Sequence, residues 1–121
     1  MLACAAIVPF QAAAAVQQKP FEQTGIASWY GREFRGHKTA NGERYNPDAM
    51  TAAHRKLPFG TMVRVTSLRN NRSVVVRINN RGPYIRGRII DISAAAASQL
   101  DMIRSGIARV RIEVVQSNTG G

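Results

Sequence analysis

The chain has 121 residues, of which 45% are hydrophobic, which predicts one folded domain and argues against a disordered tail protein. It carries 17 Lys and Arg against 7 Asp and Glu, a net charge of +10 that favours polyanionic partners without choosing among nucleic acid, anionic lipids and wall polymers. Its one cysteine excludes an intramolecular disulfide, and an aromatic content of 7% is too low for a row of base-stacking platforms.

The first fifteen residues read as a signal-peptide-like segment. Residues 1–10 form a short apolar run, Ala12 to Ala15 supply an Ala-x-Ala cleavage site, and no charge precedes Lys19. The run is too short to span a bilayer. The signal-like pattern therefore predicts export to the periplasm or cell envelope. Cys4 offers an alternative as a lipid-anchored cysteine, but Leu2 lies two residues before it, whereas the lipoprotein signal has Leu three residues before.

The next segments alternate between polar loops and one strand. Residues 16–24 are polar and predict a linker, and residues 25–30 predict a strand that ends at Gly31. Residues 33–42 predict a polar loop, residues 47–50 a single helical turn, and residues 57–60 a turn.

Three later stretches show the two-residue period of half-buried strands. Residues 63–66 and 74–78 alternate in this way, and residues 68–72 between them predict a hairpin because Asn tolerates a positive φ. In residues 108–114 every second residue is apolar, so that one face of the strand carries Ala108, Val110, Ile112 and Val114.

Residues 88–92 predict a further short strand, after which Ser93 is expected to cap a helix that runs to Leu100. Short strands at close spacing with only one clear helix favour a small closed β structure.

Several sequence blocks, in order, resemble those of the rare lipoprotein A family. The resemblance runs from Gly25 to Val115, and it is carried by the blocks GIASWYG (25–31), TANGERYN (39–46), TAAH (51–54), LPFGT (57–61), VRVT (63–66), NNRGPY (79–84) and RIIDIS (88–93).

This resemblance implies an all-β fold, a six-stranded double-psi β-barrel over residues 25–115 with one or two short helices, followed by a flexible tail at 116–121. It also implies a lytic transglycosylase, a lyase that cleaves peptidoglycan glycan strands after N-acetylmuramic acid and closes a 1,6-anhydro ring. Expansins use related barrels, so a non-catalytic peptidoglycan-binding or wall-loosening module is the alternative.

The implied chemistry needs a carboxyl group that protonates the leaving oxygen and then accepts the proton of the C6 hydroxyl. Glu43 matches a regular glutamate of the family, with an exposed loop carboxylate as the alternative. His54 matches the family histidine, which could bind a sugar or orient a carboxylate; the alternative is a packed histidine at a strand end.

Two further positions belong to the implied catalytic set. Asp91 lies among isoleucines that could raise its pKa, and the alternative is that it caps the helix that follows. Asn80 departs from the family pattern Asn-Asp-Arg-Gly-Pro, because an amide stands where the aspartate is expected. An amide has nearly the same shape but does not exchange a proton near neutral pH, so the sequence predicts weakened catalysis with sugar binding retained.

The substrate-binding candidates are Tyr30, Arg81 and Tyr84, of which the two tyrosines are expected to be exposed and to stack on sugar rings. A cationic rim is predicted from Arg32, Arg35, Lys38, Arg81 and Arg86, with an ordinary solvated face as the alternative.

The expected partner is the glycan strand of peptidoglycan, and the chain is expected to be a monomer. Contact with an anionic membrane surface stays open. No cofactor is expected, and the spacing of the two histidines and Cys4 predicts no metal site. The export signal and the lack of a recognition motif argue against nucleic acid.

Overall fold

The computed structural model describes residues 21–116. It contains one 3₁₀ turn at Arg32–Phe34 and one α-helix, α1, at Ala94–Gln99. Its strands are β1 (Glu22–Trp29), β2 (Thr51–Ala53), β3 (Met62–Ser67), β4 (Ser73–Asn80), β5 (Arg88–Ile92) and β6 (Ile107–Gln116).

The six strands close into one barrel in the order β1-β5-β2-β4-β3-β6. The pairs β1–β5 and β2–β4 are parallel, and the other four pairs are antiparallel. Closure removes the free strand edges that an open sheet would expose. The predicted six-stranded barrel with short helices is confirmed.

Alternating burial along the strands builds the core, as their two-residue period predicts. On β4, Val74, Val76 and Ile78 are buried, whereas Val75 between them is exposed. Val110 and Ile112 of β6 are also fully buried against this core. The hydrophobic face of each of these strands therefore points into the barrel.

The predicted hairpin between β3 and β4 is confirmed. Asn71 has a φ of 63°, in the left-handed region that Asn tolerates better than most residues. Its N–H donates to the Ser67 carbonyl at 2.8 Å. This hairpin lies at the start of β4, at the opposite end of that strand from Asn79 and Asn80.

The barrel is longer at both ends than predicted. β1 begins at Glu22, three residues before Gly25, because Glu22, Gln23 and Thr24 pair with β6; these residues are not linker. β6 continues to Gln116, which pairs with Met62. The signal-like segment, Cys4, the rest of the linker and residues 117–121 lie outside the described residues.

Two local predictions were wrong. Residues 47–50 form a turn and not a helical turn, with the Ala49 N–H donating to the Asn46 carbonyl at 3.0 Å. Residues 51–53 form β2, a strand that was not predicted, because all three side chains are buried and no alternation marks them.

The helix α1 begins where predicted. The Ser93 hydroxyl accepts a hydrogen bond from the Ala96 N–H at 3.2 Å, which satisfies one of the free donors of the first turn. Ala94, Ala96 and Ala97 are buried, so the helix lies against the barrel through side chains no larger than a methyl group.

The strand β2 positions the residues of the site. Ala53 pairs with Asn80 on β4 and with Asp91 on β5, and a register shift separates it from Ala52. Asn80 and Asp91 therefore flank the same backbone position, two strand spacings apart, which is roughly 10 Å.

The packing of β4 can be tested by truncating Ile78, which is fully buried. Ile78→Ala should lower the free energy of unfolding by about 2–5 kcal/mol, because the cavity and the lost transfer energy add. The matched control is Ile107→Ala, since Ile107 is 44% exposed and should cost about 1 kcal/mol or less. Urea denaturation of both variants measures the difference, and equal losses would contradict the assigned core.

Candidate active site

A small hairpin over residues 36–45 carries Glu43. The Tyr45 N–H donates to the His37 carbonyl at 2.8 Å, and the Thr39 N–H donates to the Glu43 carbonyl at 2.8 Å. Gly42 turns the chain with a φ of 100°, a conformation that L-residues with side chains rarely adopt. The hairpin docks on the end of β4, where the Asn41 N–H donates to the Asn79 carbonyl at 3.2 Å.

The Glu43 carboxylate is held by two donors from β4. Its Oε1 accepts from Asn79 Nδ2 at 2.5 Å and from Arg77 Nη1 at 2.9 Å. The hydrogen bond from Asn79 lowers the pKa of Glu43 below its ordinary value; partial burial opposes this, and Arg77 adds to it. Glu43 is therefore an ionised, oriented carboxylate rather than a free loop side chain.

Asn80 uses both ends of its amide. Its Oδ1 accepts from the backbone N–H groups of Ala40 and Arg81, each at 2.9 Å. Its Nδ2 donates to the Tyr30 hydroxyl at 2.9 Å. Asn80 thus ties the hairpin to the end of β4 and to the end of β1.

Tyr30 is half-buried, so the prediction that it is exposed was wrong. Its hydroxyl is bonded to Asn80, and its ring packs edge-on against Tyr45 with centroids 5.1 Å apart. Burial and the charge of Asp91 raise the pKa of the Tyr30 phenol above its ordinary value. The phenol therefore keeps its proton and lies within the electrostatic range of both Asn80 and Asp91.

Asp91 is a partly buried carboxyl group on β5. It accepts a hydrogen bond from the Ser28 hydroxyl of β1. Burial raises the pKa of Asp91, while Ser28 and Arg88 oppose the rise. The alternative that Asp91 caps α1 is wrong, because the cap is the hydroxyl of Ser93.

His54 is a packed neutral histidine. Nδ1 accepts from the N–H groups of Lys56 and Leu57, both at 3.1 Å, so the ring proton is on Nε2, which donates to Gln23 Oε1 at 3.0 Å. Burial, assisted by the positive charges of Arg55, Arg81 and Lys56, lowers the pKa of His54 to about 4. This geometry favours the structural alternative for His54, since neither ring nitrogen is directed at a carboxylate.

Arg81 and Tyr84 have different environments. Arg81 Nη1 donates to the carbonyls of His54 at 3.2 Å and Leu57 at 2.8 Å, and its guanidinium lies 4.0 Å from the centre of the Phe59 ring. Arg81 therefore clamps the turn after β2, a role that the sequence did not indicate. Tyr84 is 74% exposed, as predicted.

The residues of the predicted cationic rim also differ from one another in their surroundings. Arg32 and Arg35 both pair with Asp48, at 3.0 and 3.1 Å. These exposed pairs contribute little stability and occupy the two guanidinium groups. Lys38 lines a cleft beside Asn80, and Arg86 is exposed.

The cleft beside Asn80, called here the aromatic cleft, has a volume of about 230 Å³. Its side chains offer ring faces, three hydroxyl groups, an amide and two basic groups, which suits a sugar. Sequence reasoning missed Phe34 and His37 here because both belong to a loop without periodicity. The lining residues are Tyr30, Phe34, His37, Lys38, Thr39, Tyr45 and Asn80.

Glu43 lines a separate depression of about 230 Å³ with Arg77 and Asn79. The structure thus brings Tyr30 and Asn80 into one cleft and places Glu43 in the other. Asn79 and Asn80, consecutive on β4, connect the two. The roles of Arg77 and Asn79 were missed because their partner Glu43 lies more than thirty residues earlier in the sequence.

Within residues 21–116, no group of three or more His, Cys, Asp or Glu side chains could hold a metal ion. No helix in the same range is long and apolar enough to cross a membrane.

A family model described as lytic transglycolase matches residues 22–112. A probable endolytic peptidoglycan transglycosylase RlpA from Nostoc sp. is 69% identical over 93 residues, which are 75% of this chain and 25% of that protein. An endolytic peptidoglycan transglycosylase RlpA from Campylobacter jejuni is 60% identical over 99 residues, which are 79% of this chain and 36% of that protein. The chain therefore spans between a quarter and little more than a third of these relatives.

Among solved structures, the chain is similar to apo expansin from Clavibacter michiganensis, with a TM-score of 0.63 and 21% identity. The similarity covers 83% of this chain and 53% of the expansin. At this identity the likeness shows the barrel fold alone.

The state of His54 predicts a pH dependence of stability. The unfolded chain binds a proton at the ordinary His pKa of 6.5, whereas the folded chain binds it only near pH 4. The contribution is therefore complete above pH 6.5 and is lost as the pH falls toward 4. His54→Gln removes this term, so the stability advantage of the unmodified chain over the variant should shrink by about 1–3 kcal/mol between pH 7 and 4.

Chemical denaturation at several pH values measures that advantage. Glu43 and Asp91 are present in both proteins. The difference between the two curves of unfolding free energy against pH therefore gives the contribution of His54 alone. A constant difference from pH 7 to 4 would show that His54 is not held neutral.

Proposed function

This chain belongs to the lytic transglycolase family, as a double-psi β-barrel of the rare lipoprotein A type, and from that premise we propose that it cleaves glycan strands of peptidoglycan, at a rate that Asn80 lowers. The reaction breaks the glycosidic bond after N-acetylmuramic acid and closes a 1,6-anhydro ring without water. The observation that carries the proposal is the pair of asparagines at the end of β4, which fixes the Glu43 hairpin there, with Asn80 two strand spacings from Asp91.

Two carboxyl groups with opposite pKa shifts support this chemistry. Glu43 is stabilised as an anion by Asn79 and Arg77, whereas burial favours the protonated form of Asp91. Carboxyl groups whose environments separate their pKa values can divide acid and base roles. In the proposed assignment, Asp91 protonates the leaving glycosidic oxygen, and Glu43 stabilises the positive charge that develops on the sugar.

The C6 hydroxyl must then lose its proton as its oxygen attacks C1, and the Asp91 carboxylate that the first step leaves can accept that proton. Asn80 lies where the family pattern has an aspartate, and its amide cannot accept that proton near neutral pH. Its Oδ1 already accepts two backbone N–H bonds, so an aspartate fits the same position with one oxygen on those donors. The other oxygen would face the Tyr30 hydroxyl, which can reverse its role from acceptor to donor.

A non-catalytic glycan-binding function is the second candidate. It is favoured by Asn80 itself, because every hydrogen bond made by its amide is structural. It is also favoured by the ion pair of Glu43 with Arg77 at 2.9 Å, which holds the carboxylate against the protein. On this alternative the aromatic cleft and Tyr84 bind sugar and no bond is broken.

We also propose that the protein is exported, because peptidoglycan lies outside the cytoplasmic membrane. Residues 1–10 are apolar and Ala12 to Ala15 resemble a signal cleavage site, so cleavage is expected near Ala15. N-terminal sequencing of protein recovered from the periplasm of a Gram-negative host checks this. An intact Met1 on that protein would contradict it, and a diacylated Cys4 would establish the lipid-anchored alternative.

Asn80→Asp tests the catalytic proposal. The unmodified chain should bind glycan strands and release little 1,6-anhydro product, and Asn80→Asp should raise product formation by about a hundredfold, the order that a positioned acid–base group supplies. Chromatography and mass analysis of muropeptides after incubation with purified wall measure the product. Glycan binding, followed in parallel, should stay unchanged.

Two variants in the Asn80→Asp background separate the carboxyl roles. Glu43→Gln should lower product formation while keeping the hydrogen bond geometry, and Asp91→Asn should abolish it with an unchanged melting temperature. Vigorous cleavage by the unmodified chain, equal to that of Asn80→Asp, would remove position 80 from the mechanism. Binding without cleavage by every variant would favour the second candidate.

A further inference from the structure

A second cleft, called here the cationic cleft, lies beside His54 and has a volume of about 300 Å³. It shares no lining residue with the aromatic cleft. Its lining residues are Phe21, Gln23, His54, Arg55, Lys56 and Ile89.

Two adjacent cations lie at this cleft without an acidic partner. Arg55 and Lys56 are exposed, and within residues 21–116 neither forms an ion pair. The Arg55 guanidinium makes a long contact of 3.5 Å with the Arg88 carbonyl. Their positive charge acts inside the cleft, because it contributes to the lowered pKa of His54.

The turn that carries these cations is fixed. Nδ1 of His54 accepts the N–H groups of Lys56 and Leu57, and Arg81 Nη1 binds the carbonyls of His54 and Leu57. These four hydrogen bonds hold the backbone of the turn from both sides. The backbone that carries the two cations is therefore fixed before a ligand arrives, and only their side chains remain to be ordered on binding.

The opposite wall of the cleft is apolar. Phe21 is 40% exposed, and its ring meets the His54 ring edge-on with centroids 5.9 Å apart. Ile89 and the polar residue Gln23 also line the cleft. A ligand with one apolar ring face and a negative charge fits these walls better than a free inorganic anion.

The cationic cleft adjoins the Asn80 position. The His54 N–H donates to the Asn80 carbonyl at 3.2 Å, so the residue at the cleft floor is hydrogen-bonded to the residue at the aromatic cleft. A polymer bound at Asn80 can therefore place a neighbouring unit beside Arg55 and Lys56.

We propose that the cationic cleft is an additional subsite that binds a carboxylate of the wall glycan strand. The inference rests on the proposed function for the identity of the polymer. Two sources carry this chemistry, the lactyl carboxylate of a muramic acid without its peptide and the carboxylates of an attached stem peptide. Charge-assisted hydrogen bonds from the two cations recognise either one.

The test compares four tetrasaccharides by titration calorimetry at low salt. They are neutral chitotetraose, the peptide-free wall tetrasaccharide, the same compound with its lactyl carboxylates converted to amides, and the peptide-bearing form. The carboxylate-bearing compounds should bind about three- to tenfold more tightly than chitotetraose. Arg55→Gln/Lys56→Gln should abolish that preference and leave chitotetraose binding unchanged.

The matched control is Arg72→Gln/Arg104→Gln, which removes the same charge at two exposed positions, one in the β3–β4 hairpin and one in the loop after α1. The preference should survive in the control, and an equal loss in both double variants would reduce the effect to net charge and overturn the subsite. If converting the lactyl carboxylates to amides removes the tighter binding of the peptide-free tetrasaccharide, the lactyl group is the source of the carboxylate. If the peptide-bearing tetrasaccharide binds more tightly than the amide compound, the stem peptide is a source.

The outcomes separate the subsite from the proposed function. Equal binding of all four compounds, with 1,6-anhydro product still formed by Asn80→Asp, would overturn the subsite alone. A preference for carboxylates that depends on Arg55 and Lys56, with no product from any variant, would support the subsite and contradict the cleavage reaction.

Discussion

The double pairing of β2 is the constraint on which the site depends. Ala53 is hydrogen-bonded between β4 and β5, so it sets the distance between Asn80 and Asp91. Its methyl group is fully buried. Because the barrel closes through this three-residue strand, the spacing of the two functional positions is a property of the whole barrel and not of a flexible loop. The turn that follows β2 then brings His54, Arg55 and Lys56 to the neighbouring surface.

The two carboxyl groups are differentiated by their partners and by water. Glu43 projects from a loop that water reaches, and it is ionised because an amide and a guanidinium from β4 bind it. Asp91 lies on β5, where burial opposes its charge more than the Ser28 hydroxyl and Arg88 favour it. The barrel strands therefore determine both pKa values: β4 supplies the donors that stabilise the Glu43 anion, and β5 buries Asp91. Such division is the usual way in which a small site obtains an acid and an anion at one pH.

Features that depend on residues near in sequence could be predicted from it. The alternation on β4 and β6, the Asn71 turn and the Ser93 cap follow local rules, and each was found where expected. β2 could not be predicted, because three consecutive buried residues carry no period. The surroundings of Tyr30, Glu43 and His54 were also inaccessible, since their hydrogen-bond partners lie 50, 36 and 31 residues away. The resemblance named Glu43 and His54 alike, and only the geometry distinguishes an oriented carboxylate from a packed, neutral imidazole.

Asn80 explains why the fold alone does not decide between cleavage and binding. Its amide oxygen accepts two backbone N–H groups, and its amide nitrogen bonds a tyrosine hydroxyl that can act as either acceptor or donor. An aspartate satisfies the same three partners, because Tyr30 needs only to rotate its hydroxyl proton. The barrel, the hairpin and the clefts therefore tolerate either residue with the same hydrogen-bond network. What differs between the two is a proton that can be exchanged, and that difference acts on the rate of the reaction and not on the shape of the site.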